Sequence, residues 1–289
     1  MRFGLTILPE RPWSEAARQW RTAEDLGFDH AWTYDHLVWA GLPESPWYGT
    51  TPTLTAAATV TSGIGLGTFV SSPNYRHPAV LWRDVQSLDD ISGGRFLLGI
   101  GNGGDLDAGI LGDPGLSTRE RVDRFQEFAR LLLQLREGDH VTSSGRWFST
   151  ADMRTLPRVR HVPLLVAANG PRSVRFAAQH GDGWMTTGPA RSADLDEWFD
   201  GVRVSAATLE EALVAADRDP AAYPRYLNLD SAPTYSLTDP ETFADRVRRA
   251  ADLGFTDVIS HWPRESSPYA GTESVLESVA TQVIPELRG

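Results

Sequence analysis

Residues 64–104 read "IGLGTFVSSPNYRHPAVLWRDVQSLDDISGGRFLLGIGNGG", one complete strand, helix and strand. A short apolar run is followed by a polar turn and then by a segment with apolar residues at helical spacing: Val80, Leu81, Val85, Leu88 and Ile91. A Gly-Gly pair ends the predicted helix, and the second apolar run ends in a glycine-rich tail. Near-continuous apolar strands joined through helices are typical of a parallel sheet.

The same alternation continues on both sides of this unit. Counted along the chain it gives eight strand-helix units, and right-handed crossovers close eight such units into a barrel. Between the fourth helix and the fifth strand the alternation is lost, and the spacing there indicates a hairpin or an irregular insertion at about 139–161. The sequence therefore predicts one (β/α)8 TIM barrel domain over residues 1–289, with this insertion.

Composition excludes several classes of function. The net charge is −11, all 27 basic residues are Arg, and there is no Cys. This argues against nucleic-acid binding, a P-loop, a lysine Schiff base, disulfides and thiolate chemistry. No apolar run approaches the roughly 20 residues of a membrane span, and the first residues lack the apolar core of a signal peptide. We expect a cytoplasmic protein without a membrane or nucleic-acid partner.

Four predicted strands end in polar or glycine-rich tails. These tails are residues 35–36, 71–74, 101–104 and 168–171. Functional groups of such barrels collect where strands end, so the tails are expected to meet at one mouth.

His36 has two interpretations. A histidine after a strand often bonds a nearby backbone carbonyl and is structural, but at a barrel mouth an imidazole can act as an acid or base. The predicted position favours the second interpretation. His261, after the last strand, is also a candidate for the mouth, whereas His77 is expected to cap a helix. No histidine pair has metal-ligand spacing, so no metal is expected. The remaining histidines are interpreted as structural or exposed: His30, His140, His161 and His180.

The segment "ANGPRS", residues 168–173, is typical of an anion-binding helix start. Gly170 permits a close turn, Pro171 suits the first helical position, and the following amides face outward. An ordinary well-capped loop is the alternative.

In "GIGNGG", residues 99–104, the spacing of a dinucleotide fingerprint is absent. Its glycines favour a flat ring against the backbone, or a flexible loop.

Three aromatic residues lie in a loop rich in Pro and Gly, without helical or strand period: Trp39, Trp47 and Tyr48. They are predicted to wall an apolar substrate pocket. The alternative is a loop pinned to the barrel rim by aromatic packing.

Three segments together carry a family resemblance: "LGTFVSSP" (66–73), "YRHPAVLWRDVQSLDDISGGRFLLGIGNG" (75–103) and "VPLLVAANGPRSVRFAAQHGDGW" (162–184). With them the chain resembles the luciferase-like flavin and deazaflavin oxidoreductases. The resemblance implies a (β/α)8 barrel with an insertion, and a homodimer.

The Asp-His pair after the second strand resembles that of the branch that uses the deazaflavin coenzyme F420. This implies that His36 is catalytic, beside the ring carbon that exchanges hydride, and that Asp35 contacts the ring. It also implies a cis peptide between Phe69 and Val70 that backs the ring. The remaining implied contacts are Ser72, Gly103 and Asp107 with the coenzyme, and Ala168, Asn169, Gly170, Pro171 and Arg172 with its phosphodiester.

Two departures bear on the substrate. Sugar-phosphate dehydrogenases of this branch use lysines for the substrate phosphate and an acidic residue where Gly104 stands, and this chain has neither. We therefore expect a small organic substrate, apolar or aromatic. The alternatives are an FMN-dependent monooxygenase supplied by a separate cofactor reductase, and a cofactor-binding protein without turnover.

A basic cluster on the predicted fourth helix has an open role. Its members are Arg119, Arg121 and Arg124. They are predicted to form a solvated face, with an acidic polyglutamate tail on the coenzyme as an alternative partner.

Overall fold

The computed structural model describes residues 1–113, 115–159 and 161–289; Arg160, within the predicted insertion, lies outside the described residues. The strands in chain order are β1 (Arg2–Thr6), β2 (His30–Thr33), β3 (Gly65–Thr68), β4 (Phe96–Ile100), β5 (Val141–Ser144), β6 (Ser149–Met153), β7 (Leu164–Ala167), β8 (Gly183–Thr186), β9 (Arg225–Asn228) and β10 (Asp257–His261).

The α-helices are α1 (Trp13–Asp25), α2 (Thr50–Val60), α3 (Pro78–Ser92), α4 (Leu106–Ile110), α5 (Thr118–Glu137), α6 (Pro171–His180), α7 (Leu195–Ala215), α8 (Pro240–Asp252), α9 (Glu273–Ser278) and α10 (Ile284–Arg288). Two short 3-10 turns and one π-helical turn complete the set: Leu229–Ser231, Ser236–Thr238 and Val279–Val283. Within the described residues, no helix is both long and apolar enough to cross a membrane.

Eight parallel strands close into a barrel in the order β1-β2-β3-β4-β7-β8-β9-β10. Closure pairs β1 with β10, which sets Arg2 opposite Asp257 at one end and Thr6 opposite His261 at the other. The predicted barrel is confirmed. The interrupted stretch contains the antiparallel pair β5–β6, so its hairpin is also present.

Two details differ from the sequence pattern. Val80 and Ile91 were expected on the buried face of α3, but they are 60% and 44% exposed. The buried face instead includes Trp82 together with Leu81, Val85 and Leu88, because the inward stripe begins one residue later. The short helix α4, which follows the glycine-rich tail of β4, is not predicted by the periodicity.

A polar network fills the barrel at the end where the strands begin. His30 Nε2 lies 2.9 Å from Asp257 Oδ1, and Trp32 Nε1 donates to His30 Nδ1 at 2.6 Å. Arg2 also pairs with the Asp257 carboxylate. Burial alone would raise the pKa of Asp257, but the hydrogen bond from His30 and the charge of Arg2 outweigh it and lower that pKa. His30 is therefore structural, as predicted.

Replacement of Asp257 by Asn should lower the unfolding free energy at pH 7 by about 3 kcal/mol, because His30 and Arg2 lose their buried partner. A carboxylate with a lowered folded pKa stabilises the protein above its unfolded pKa of about 3.9, and loses that effect as the pH falls through the folded pKa. The difference between Asp257→Asn and wild type should therefore shrink in urea unfolding below about pH 4. Asp252→Asn, at an exposed carboxylate, is the control; an equal loss there would contradict the prediction.

Candidate active site at the barrel mouth

His36 is held at the mouth by a carboxylate from α4, the short helix that follows the tail of β4. Its Nδ1 lies 2.7 Å from Asp107 Oδ2, and the other carboxylate oxygen accepts the Leu37 amide at 2.8 Å. The imidazole is 21% exposed, whereas the Asp107 side chain is 1% exposed. Since the carboxylate can only accept, Nδ1 carries a proton, and in the neutral imidazole Nε2 keeps its lone pair.

The charge on Asp107 is stabilised in place. Burial acts to raise its pKa, but the hydrogen bond from His36 and the amides of Leu37 and Val38 together lower it. Asp107 thus remains a carboxylate that orients the imidazole. The contact of Asp107 with a coenzyme stays a prediction.

Asp35 is also buried and lies beneath the site. Ser71 Oγ donates to its carboxylate at 2.5 Å and Arg76 Nη2 at 2.6 Å, and Tyr75 adds a third side-chain donor. The side chain is 1% exposed. It therefore joins the tails of β2 and β3 and supports the site, and its contact with a cofactor ring stays a prediction.

The Phe69–Val70 peptide after β3 is cis, as the family resemblance implied. Phe69 packs inward, with its ring 6.2 Å from those of Trp32 and Tyr34. Val70 lies against the tail of β4, where a Cβ added at Gly101 would come within 2.6 Å of its Cγ2. The bulge and the glycine-rich tail are thus in direct contact.

A second support links Gly103 to α5. Gly103 has φ +68°, and an added Cβ would lie 2.3 Å from Asn74 Nδ2 and 2.8 Å from Ser72 Oγ. Arg124 Nη2 donates to Asn74 Oδ1 at 2.6 Å, and its other nitrogen donates to Asp113 Oδ2 at 2.9 Å. Arg124 is 8% exposed, so its assignment to a solvated face was wrong.

The other two arginines of the cluster differ from Arg124. Arg119 is exposed, as predicted, and Arg121 forms an ion pair with Asp105 at 2.7 Å. Of the three, Arg124 alone is buried beside the site, because it alone faces the tail of β3.

The start of α6 is open to solvent. Gly170 and Pro171 are exposed, and no side chain caps this helix within the described part of the chain. The amides of Arg172 and Ser173 have no carbonyl within the helix to bond. Free amides at a helix start can bind an anion.

The residues around this helix start bond to other elements. Arg172 itself pairs with Asp123, and Asn169 Oδ1 accepts from Thr186 Oγ1 at 2.8 Å. Ala168 is buried, and its carbonyl accepts from Trp184.

Aromatic rings form the other side of the mouth. Tyr34 packs edge-on against His36 and Trp39, with centroid distances of 6.0 and 5.2 Å. Trp39 lies parallel to Tyr269, which in turn stacks on His261 at 3.7 Å. A cavity of about 680 Å³ opens here. Its lining includes Trp39, Gly41, Thr234, Tyr235, Ser267 and Tyr269.

Of the remaining predicted pocket residues, Trp47 and His261 lie at the mouth with Trp39, and Tyr48 lies apart from them. Trp47 packs on Trp39 at 6.1 Å. Tyr48 is 45% exposed and lies in a different groove, with Trp13 and Pro52 between α1 and α2. His261 is at the mouth but fully buried, bonded to Asp230 through Nδ1 and to the Tyr34 hydroxyl through Nε2.

Comparison with known proteins agrees with this geometry. Residues 1–229 match the model of the luciferase-like monooxygenase family. The chain belongs to this family. An F420-dependent glucose-6-phosphate dehydrogenase of Beutenbergia cavernae is 31% identical over 92% of this chain and 91% of its own. An F420-dependent hydroxymycolic acid dehydrogenase of Mycobacterium tuberculosis is 34% identical over 61% of this chain and 49% of its own.

A solved structure of an F420-dependent secondary alcohol dehydrogenase has the same fold as this luciferase-like chain. The TM-score is 0.85 with 18% identity, covering 100% of this chain and 99% of that one. The family resemblance seen in the sequence is therefore confirmed.

Sequence reasoning on this luciferase-like chain missed four supporting residues: Asn74, Tyr75, Arg76 and Arg124. His77, next to them, caps α3 through its Nδ1, as predicted. The polar clustering of Asn74, Tyr75 and Arg76 after the third strand was a signal that these groups gather at the mouth, whereas Arg124 lies in α5. Their partners lie far along the chain, so the pairing itself could not be predicted.

Gly103→Ala should lower the unfolding free energy by about 2 kcal/mol, because the new methyl group meets Asn74 and alanine disfavours a positive φ. Gly104→Ala is a matched control, since a Cβ there meets no atom within 4 Å. Urea unfolding of both variants checks this, and a similar loss in each would contradict it.

Proposed function

We propose that this protein is an F420-dependent oxidoreductase that transfers hydride between C5 of the deazaflavin and a small organic substrate, apolar or aromatic. The observation that carries the proposal is the His36–Asp107 pair at the barrel mouth. The pair lies in a chain 31% identical, over nearly its full length, to an F420-dependent dehydrogenase.

The residues at the mouth suit this cofactor. The half-buried Val70 bulge and the open backbone at Gly104 offer a surface for a flat ring. The first-turn amides of Arg172 and Ser173 suit a phosphodiester.

Four further residues support these surfaces. Gly103 and Ser72 pack together beneath the ring position, and Asn169 and Ala168 hold the loop that precedes α6.

When bound, F420 supplies hydride exchange at its C5 carbon. His36 Nε2 would accept the hydroxyl proton of an alcohol substrate during its oxidation, and would return a proton to the carbonyl oxygen in the reverse reaction. Asp107 stabilises the imidazolium that forms and fixes the ring orientation. Trp39 walls the substrate side. Gly104 carries no acid, so no second proton donor is assigned there.

An FMN-dependent monooxygenase supplied by a separate reductase is the second candidate, because the matched family is described as luciferase-like monooxygenase. Titration of the apoprotein with F420 and with FMN, followed by fluorescence, separates the two. Tight F420 binding with weak FMN binding is expected. The reverse order would replace the proposal. The homodimer and the cytoplasmic location remain predictions from the sequence.

His36→Ala should retain F420 binding and lower kcat by roughly 10²- to 10⁴-fold, the usual contribution of a general acid-base group. Asp107→Asn should also lower kcat by at least about 10²-fold, since an amide favours the wrong tautomer. F420 reduction with a panel of alcohols measures both, with His161→Ala and Asp105→Asn as controls. Unchanged rates in His36→Ala would contradict its acid-base role, whereas F420 binding with no reduction in wild type would favour a binding protein without turnover.

Gly170→Asp should weaken F420 binding about tenfold, because it places a negative charge at the start of α6. The substitution fits, since Gly170 has φ −95° and an added Cβ meets no atom within 4 Å. Asp is also a favourable N-cap, so stability should not fall. Gly170→Asn is the neutral control, and the dephosphorylated deazaflavin fragment should bind all three proteins equally. A loss shared by the fragment would contradict the phosphate assignment.

A further inference from the structure

We propose that the slot between Trp39 and His261 is a subsite for a neutral planar ring, and that the Tyr269 side chain occupies it in place of that ring. The inference rests on the proposed function for the identity of the reaction. It adds the shape and charge of the substrate.

The slot has two parallel walls. The Tyr269 ring lies at 11° to the imidazole of His261 and at 11° to the indole of Trp39, with centroid distances of 3.7 and 6.1 Å. Its free edge faces the cavity that Trp39, Tyr235 and Ser267 also line. Two rings that both lie parallel to Tyr269 favour a flat occupant, because aromatic rings stack with their faces offset and parallel.

The side-chain hydrogen bond of Tyr269 is longer than that of the neighbouring Tyr34 with His261. Its hydroxyl lies 3.4 Å from that of Tyr34, whereas Tyr34 itself lies 2.7 Å from His261 Nε2. Its backbone has φ +67°, a conformation that a bulky side chain rarely adopts and that is found at ligand clamps. Its ring can therefore leave without breaking a short hydrogen bond.

The polar surroundings define the chemistry of the occupant. At the far edge of the ring, Tyr34 donates its hydroxyl proton to His261 Nε2, so its oxygen can accept a hydrogen bond from a hydroxyl substituent. Asp230, bonded to His261 Nδ1 at 3.0 Å, makes an anionic ligand unfavourable. The nearby cation, Arg264, is committed to Glu10 at 2.7 and 2.9 Å. The subsite therefore suits a neutral planar ring that carries one oxygen substituent.

The test uses the full chain without cofactor and two probes of the same connectivity, 2-naphthol and decahydro-2-naphthol. Tyr269→Gly removes the ring and accepts the positive φ. This variant should bind 2-naphthol about tenfold more tightly than wild type by calorimetry, while decahydro-2-naphthol changes by less than about twofold. Tyr269→Phe, which keeps the ring, should behave like wild type. Tyr48→Ala, at a tyrosine outside the mouth, is the control.

A second readout follows the buried imidazole. In Tyr269→Gly, 2-naphthol should shift the ring resonances of His261 in ¹H–¹⁵N correlation spectra, because it stacks on the imidazole face that Tyr269 covers in wild type. Equal changes for the two probes, no gain of affinity, or His261 resonances that 2-naphthol leaves in place would overturn the inference. If Tyr269→Gly does not fold, Tyr269→Asn replaces it, because Asn also tolerates positive φ. Failure of F420 to bind would remove the proposed function and leave this result unaffected.

Discussion

The hydrogen bond between Asp107 and His36 is the constraint on which the site depends. It joins residues 71 positions apart, His36 in the tail of β2 and Asp107 in α4, which follows the tail of β4. A buried carboxylate that can only accept fixes the imidazole in one tautomer and one orientation. A free Nε2 at the mouth is therefore a property of the barrel closure, which brings these tails together, and not of the Asp-His pair as a local motif.

The tails are arranged in two layers. Beneath the imidazole, Asp35 connects the loops after β2 and β3 through Ser71 and Arg76. Beside it, Arg124 ties the loop after β3 to α5 through Asn74. Charged groups that are buried and paired in this way are costly to separate. The upper layer of backbone and aromatic rings thus rests on a rigid base and can offer its surface to ligands.

The barrel could be predicted from sequence because apolar strands and amphipathic helices record their own burial along the chain, as residues 64–104 do. The mouth could be located because strand tails carry polar residues. The hydrogen-bond partners of these polar residues could not be predicted. In the sequence, Asp35 and Asp107 are both acidic residues that follow a strand. Only their tertiary contacts show that both are buried and support the site. Likewise, helical spacing could not separate buried Arg124 from exposed Arg119, or reveal that Tyr269 covers His261.

The central claim is that Asp107 holds His36 with its proton on Nδ1 and its lone pair on Nε2. Long-range ¹H–¹⁵N correlation of the histidine-labelled protein measures the tautomer directly. The account predicts an Nδ1–H tautomer for His36, with its Nε2 resonance shifting when F420 is added while the buried His30 signals stay in place. An Nε2–H tautomer for His36, or F420 binding that leaves its imidazole resonances unmoved, would contradict it.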